Sequence, residues 1–135
     1  MPHKPRVLVV DDGLTYAQVI ANQMPEFQLV GGGEPVGAPR LQSGPAALEF
    51  LARRSDEVDV VLLDMHFALP EDLLLPLPEA PTLRRRKRFQ GLAILRAIRQ
   101  KLPDLPVVLL TSVQDLSLGD VGTEVAAQSM TYFLD

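Results

Sequence analysis

The chain of 135 residues contains no cysteine and no tryptophan, and it has two histidines. Disulfides, thiolate metal sites and cysteine nucleophiles are thereby excluded together, in agreement with a reducing compartment. Aromatic residues are scarce too, five phenylalanines and two tyrosines, and none is interleaved with basic residues as a base-stacking surface requires. No apolar run approaches the ~20 residues of a membrane helix. The opening MPHKPRVLVV has neither a signal-peptide core nor a small-residue cleavage site after it. The expectation is a soluble, cytoplasmic chain without membrane contact. Charge of one sign is not in large excess either, because a net charge of -4 is too mild to name a partner.

What the sequence does have is 47% hydrophobic residues, enough for one compact domain. Short apolar runs alternate with segments of helical period, the pattern of βαβ units and a mostly parallel sheet. RVLVV, Arg6 to Val10, is the first strand. Leu14 to Met24 carries apolar residues on one helical face and is stopped by Pro25. A second strand falls within Phe27 to Leu41, where glycines and prolines interrupt regular pattern. Ser43 can cap a helix through Leu48 and Leu51. VDVVLLD, Val58 to Asp64, reads as a strand buried on both faces. Gly91 to Leu102 has one apolar helical face, PVVLLTS from Pro106 to Ser112 a further strand, Asp120 to Met130 a further helix, and TYFLD from Thr131 to Asp135 a last strand.

Carboxylates and hydroxyls gather at the carboxyl ends of these strands: Asp11, Asp12, Asp64 and Thr111. In an open parallel sheet ligands bind beyond those ends. If the strands ending at Asp12 and Asp64 are neighbours, three carboxylates converge, and a pair ~4 Å apart repels by about 4 kcal/mol at an effective dielectric of roughly 20. A cation belongs there. With oxygen donors and no cysteine, the site favours a hard ion, magnesium before calcium.

These residues resemble the receiver domains of two-component response regulators. The resemblance rests on LVVDD, DVVLLD, QGLAILRAIRQKLPDLPVVLLTS and Tyr132, in that order, and covers almost the whole chain. It implies a flavodoxin-like, doubly wound α/β fold with a parallel five-stranded sheet of order 2-1-3-4-5. It also implies that Asp64 accepts a phosphoryl group from a sensor histidine kinase. Asp12 would ligate Mg2+ directly and Asp11 through water, with Asp64 and the backbone carbonyl of His66 completing the protein ligands. Thr111 and Tyr132 would be the switch residues. Such a domain regulates and is not an enzyme beyond its own phosphoryl transfer and dephosphorylation.

The chain departs from the receiver pattern in three places. Between Asp64 and Gly91 lie 26 residues, where strand-to-helix loops usually take about 2 to 6; 68–89 reads as an inserted loop. Its prolines forbid a long helix, its leucines call for a surface, and its basic run, Arg84, Arg85, Arg86, Lys87 and Arg88, stands next to the acidic site; with little local structure of its own, the segment is expected to be mobile or to fold over the site, to be cut first by protease, and to be a candidate interaction loop. The lysine that the family places after the fifth strand is replaced by Asp135. The family's fifth helix is missing, so residues 1–135 read as a single receiver-like domain at the front of a longer protein. Expected partners are the kinase, a C-terminal effector domain or partner protein beyond Asp135, and a second copy in a homodimer; nucleic acid is not expected through this domain.

Other readings stay open. Asp11, Asp12, Thr111 and Ser112 can cap helices, His66 can be a solvated loop residue, Tyr132 can be core, and Gly31 to Gly33 lacks the ending of a phosphate-binding loop. A phosphohydrolase with an aspartate nucleophile would carry a second aspartate where His66 stands. A receiver fold that has lost phosphorylation and serves as an interaction module is the alternative that Asp135 favours.

Overall fold

The computed structural model describes residues 4–13, 15–31, 40–110 and the backbone of 131–134. Five strands form one parallel sheet in the order β2-β1-β3-β4-β5, the order expected above. They are β1 (Arg6–Val10), β2 (Gln28–Val30), β3 (Val60–Asp64), β4 (Val107–Leu110) and β5 (Thr131–Leu134). The helices are α1 (Thr15–Gln23), α2 (Gly44–Arg54), α3 (Leu83–Arg88) and α4 (Gln90–Lys101). Thr111, Ser112, Asp135 and the helix expected from Asp120 to Met130 lie outside the described residues. None of the described helices is long and apolar enough to cross a membrane.

The twofold alternation of a strand splits β1 between two cores. Leu8 and Val10 join the large core under α2 and α4, while Val7 and Val9 join a small one under α1 with Ala17 and Ile20. Covered on both faces, such a strand has to be apolar throughout, which is why RVLVV is legible as a strand. Arg6 fixes its start: the backbone N–H and guanidinium both donate to Asp59, at 2.7 to 3.2 Å, just before β3. Ser43 caps α2 as expected, its hydroxyl accepting from the Ala46 N–H at 3.2 Å.

The segment after β3 corrects the expectation of a loop with little local structure. Prolines 70, 76, 78 and 81 do prevent a long helix there, but the apolar residues find a surface. Phe67, Leu74, Leu77, Ala80 and Phe89 enter the large core beneath α4. Gln90, 0% exposed, clamps the peptide of Leu75: its amide oxygen accepts from the Leu75 N–H at 2.6 Å and its nitrogen donates to the Leu75 carbonyl at 3.1 Å. A buried amide with both partners satisfied is an anchor. The basic run is not a solvated loop but helix α3, capped by Thr82, whose hydroxyl accepts from the Arg85 N–H. Arg86 pairs with Glu71 at 3.0 Å, and Arg85 and Arg88 lie over the Phe89 ring. Trypsin is therefore expected to cut 84–88 slowly, at a rate set by opening of the fold, because cleavage needs an extended backbone. Rapid nicking within that run, read by mass, would show that the segment does not hold its packing.

Candidate functional site

Register brings the acids together. Val10 of β1 pairs with Leu63 of β3, so Asp11 and Asp64, each the next residue, emerge side by side at the carboxyl end of the sheet. On the other side of β1, Val10 bridges Leu41, the Asp11 N–H donates to the Leu41 carbonyl at 3.0 Å, and the Leu41 N–H donates to Val9 at 2.9 Å. Asp11 is thus held between two neighbours and is 4% exposed; Asp12 and Asp64 are half-buried. One carboxylate oxygen from each of Asp11, Asp12 and Asp64 lies within 4.8 Å of the other two.

Each carboxylate is aimed by one backbone donor. The Gly13 N–H donates to Asp11 Oδ1 (3.1 Å), the Met65 N–H to Asp64 Oδ1 (2.9 Å) and the Ala68 N–H to Asp12 Oδ2 (2.9 Å). The other oxygen of each is left by these bonds for a shared ligand. Burial and the neighbouring charge of Asp11 push Asp64 up to about 7, and burial raises Asp11 as well. Raised values in both partners mean that the negative charge is under-compensated. Three hard oxygen donors in a partly buried site with uncompensated charge fit magnesium by donor chemistry and count.

Behind Asp64 a helix is interrupted. In an unbroken helix the Gly91 N–H would donate to the carbonyl of Lys87. Instead it donates to Met65 at 2.8 Å, and the Lys87 carbonyl accepts from the Phe67 N–H at 2.9 Å. The chain leaving β3 has inserted into the ladder and separates α3 from α4 at Phe89. Gly91 is required by this contact: a Cβ there would stand 2.4 Å from the Asp64 carbonyl oxygen and 2.7 Å from Met65 Cα.

Of the residues singled out in the sequence, Asp11, Asp12 and Asp64 are gathered. His66 follows Met65 and is exposed. Tyr132 lies on β5 opposite Val108 of β4. Thr111 and Asp135 lie outside the described residues. The basic run stands one hydrogen bond from the site's wall, through Phe67 and Lys87. Sequence reasoning missed four contributors. Gly91 was read as a helix start, Gln90 was passed over beside it, the Ala68 N–H is a backbone group, and Tyr16 on α1 has its phenol raised by partial burial first and by the charges of Asp64 and Asp11 second. Only the Gln-Gly pair opening α4, polar and flexible where a helix should be neither, was available as a clue.

No family model matches the sequence. No curated protein matches it either. Solved structures do match over nearly its whole length. A response regulator receiver domain protein from Clostridium thermocellum is 21% identical, with 96% of this chain and 80% of that one covered at a TM-score of 0.59. The N-terminal signal receiver domain of a two-component system response regulator from Bacteroides fragilis is 25% identical, with 96% and 82% covered at 0.57. A CheX-CheY-BeF3-Mg2+ complex from Borrelia burgdorferi contains a chain 15% identical, with 97% and 78% covered at 0.59. The chain has the receiver-domain fold.

Proposed function

We propose that this chain is a receiver module in which Asp64 accepts a phosphoryl group from a histidine kinase while Asp11, Asp12 and Asp64 hold magnesium. The observation that carries the reading is the convergence of these three carboxylates within 4.8 Å at the carboxyl ends of adjacent strands. The Borrelia neighbour was solved with BeF3 and Mg2+, which supports the same chemistry for a shared fold.

Bound at the three acids, magnesium would supply the charge neutralisation that lets an anionic carboxylate approach an anionic phosphoryl group. The protein's part is position. The Met65 N–H orients the Asp64 carboxylate through Oδ1, and an oxygen of that carboxylate would attack; the bond from phosphorus to the donor's nitrogen breaks as the acyl phosphate forms. The Ala68 N–H aims Asp12 and the Gly13 N–H aims Asp11, and the backbone carbonyl of His66, two residues after Asp64, would complete the protein ligands. Thr111 and Tyr132 would respond to the new charge, a local electrostatic event that biases a surface used by an effector or partner.

Asp135 favours a second reading, a module that binds magnesium but is phosphorylated poorly or not at all. An acid in place of a lysine near the phosphoryl oxygens exchanges attraction for repulsion, and one unit charge at ~4 Å is worth about 4 kcal/mol at a dielectric of roughly 20. Incubation with acetyl phosphate and magnesium, read by intact mass, separates the two. A gain of one phosphoryl group, lost in Asp64→Asn, supports the first reading; no gain, with amide shifts at Asp11, Asp12 and Asp64 on magnesium titration, supports the second. No shift on titration means that neither is right.

A further inference from the structure

The backbone donors that aim the three acids are each committed to a carboxylate, Gly13 to Asp11, Met65 to Asp64 and Ala68 to Asp12. A phosphoryl group arriving at Asp64 brings several negative oxygens, and those not met by magnesium need donors from elsewhere. A side-chain hydroxyl can serve. Strand alternation shows which one is at hand. In β3, Val61 and Leu63 are buried toward α2 and α4, while Val60, Leu62 and Asp64 form the half-buried row on the α1 side. Val60 and Leu62 line a groove beside α1 together with Tyr16, in the first turn of that helix, and Leu110, the β4 residue in register with Asp64. Tyr16 thus stands on the face, and at the end of the sheet, where Asp64 completes its row.

We propose that Tyr16 is a phosphoryl-binding residue of this site, its hydroxyl donating to an oxygen of the group that Asp64 receives. This role presupposes the reading of Asp64 as phosphoacceptor. Electrostatics agree with the placement. Partial burial first, then the charges of Asp64 and Asp11, raise the phenol, so the oxygen end of the ring is within electrostatic reach of both acids and holds its proton at neutral pH. The side chain is exposed, and its hydroxyl has no hydrogen-bond partner among the described residues. It is therefore a donor near the acids that is not already spent on them. The hydroxyl keeps its proton throughout the transfer, and its part is to meet negative oxygen where the phosphoryl group comes to rest. A tyrosine serving only as an apolar wall of the groove would be replaceable by phenylalanine at no cost to the chemistry.

Tyr16→Phe keeps the ring and removes the hydroxyl. With acetyl phosphate and magnesium, followed by intact mass over time, the variant should be phosphorylated about tenfold more slowly than wild type, the loss of one hydrogen bond to a charged group. Its melting temperature should be unchanged, and so should its magnesium affinity, read from the amide shifts of Asp11, Asp12 and Asp64. Placement is checked without phosphate: manganese added in place of magnesium, at substoichiometric amounts, should broaden the Tyr16 ring resonances along with the Asp12 and Asp64 amides. Equal rates for wild type and Tyr16→Phe overturn the proposal while leaving Asp64 as phosphoacceptor. A slower rate accompanied by weakened magnesium binding overturns it as well, because Tyr16 would then act through the metal site's structure. Broadened amides beside sharp Tyr16 ring signals place the phenol too far away and have the same consequence. A wild-type chain that gains no phosphoryl group removes the phosphoacceptor reading itself, and the role of Tyr16 falls with it.

Discussion

Asp64→Asn is expected to make the metal-free protein more stable at neutral pH. Asp64 sits beside Asp11 with its proton affinity raised from the ordinary 3.8 to about 7, by burial first and by the Asp11 charge second. The folded chain therefore keeps a proton that the unfolded chain has already released, and linkage fixes the sign. The stabilisation is full below the ordinary aspartate value and is lost as pH rises through about 7. Removing the charge removes that loss. Asparagine keeps an oxygen for the Met65 N–H and presents an N–H toward Asp11 in place of a repelling oxygen. Screening at a half-exposed carboxylate reduces the gain to about 1 to 2 kcal/mol, a rise in melting temperature of roughly 3 to 10 °C for a domain of this size. Melting in the presence of a chelator should show the difference at neutral pH and little of it near pH 4, where wild-type Asp64 is already protonated. Added magnesium should reverse the order, because a ligand of the folded state stabilises in proportion to its affinity and the variant has lost a ligating oxygen. A variant that melts below wild type in chelator at neutral pH would mean that the three acids are not in repulsive contact.

The acidic centre was legible because two independent signals agreed. RVLVV and VVLLD are unbroken apolar runs, which place them as interior strands, and each ends in carboxylate, which places the acids at one edge of a parallel sheet. Neither inference needs a side-chain contact. The long segment after β3 was opaque for the opposite reason. Leu74, Leu77 and Ala80 follow a spacing of three, but Pro76, Pro78 and Pro81 break any helix that would give the spacing meaning. Its order comes from a distant partner, the buried amide of Gln90, and from the core beneath α4. Charge misled as well: RRRKR looks solvated, yet three of its five residues are half-buried, because long cationic side chains lay their stems on apolar surface. The short β2 was hidden by its length of three residues, too few for any period to emerge.

The last expectation separates two glycines at the site that look alike in sequence. Gly91→Ala should destabilise strongly, and Gly13→Ala should be close to neutral. On propensity alone Gly91→Ala, inside α4, would gain about 1 kcal/mol. Packing decides otherwise. The new methyl at 91 would meet the Asp64 carbonyl oxygen and Met65 Cα, with contacts of 2.4 and 2.7 Å, backbone atoms of the last residue of β3 and of the residue after it, both tied to Leu110 of β4. Neither can move aside like the end of a flexible side chain, so either α4 shifts away and the Gly91 N–H bond to Met65 stretches, or the end of β3 is displaced. Overpacking of this kind costs about 1 to 3 kcal/mol and occasionally more; against rigid backbone the upper end applies, leaving a net loss of about 2 kcal/mol after the helical gain. At Gly13 the nearest atom to a new methyl is Asp11 Oδ1 at 3.9 Å, ordinary van der Waals contact. The site should register the difference too, since the bond from the Met65 N–H to Asp64 Oδ1 depends on where β3 ends. Magnesium titration followed by amide shifts should therefore weaken in Gly91→Ala even where the protein remains folded, and be little changed in Gly13→Ala. Equal melting temperatures for the two variants would show that the exit of β3 is free to yield, and that the break between α3 and α4 does not hold Asp64 in place.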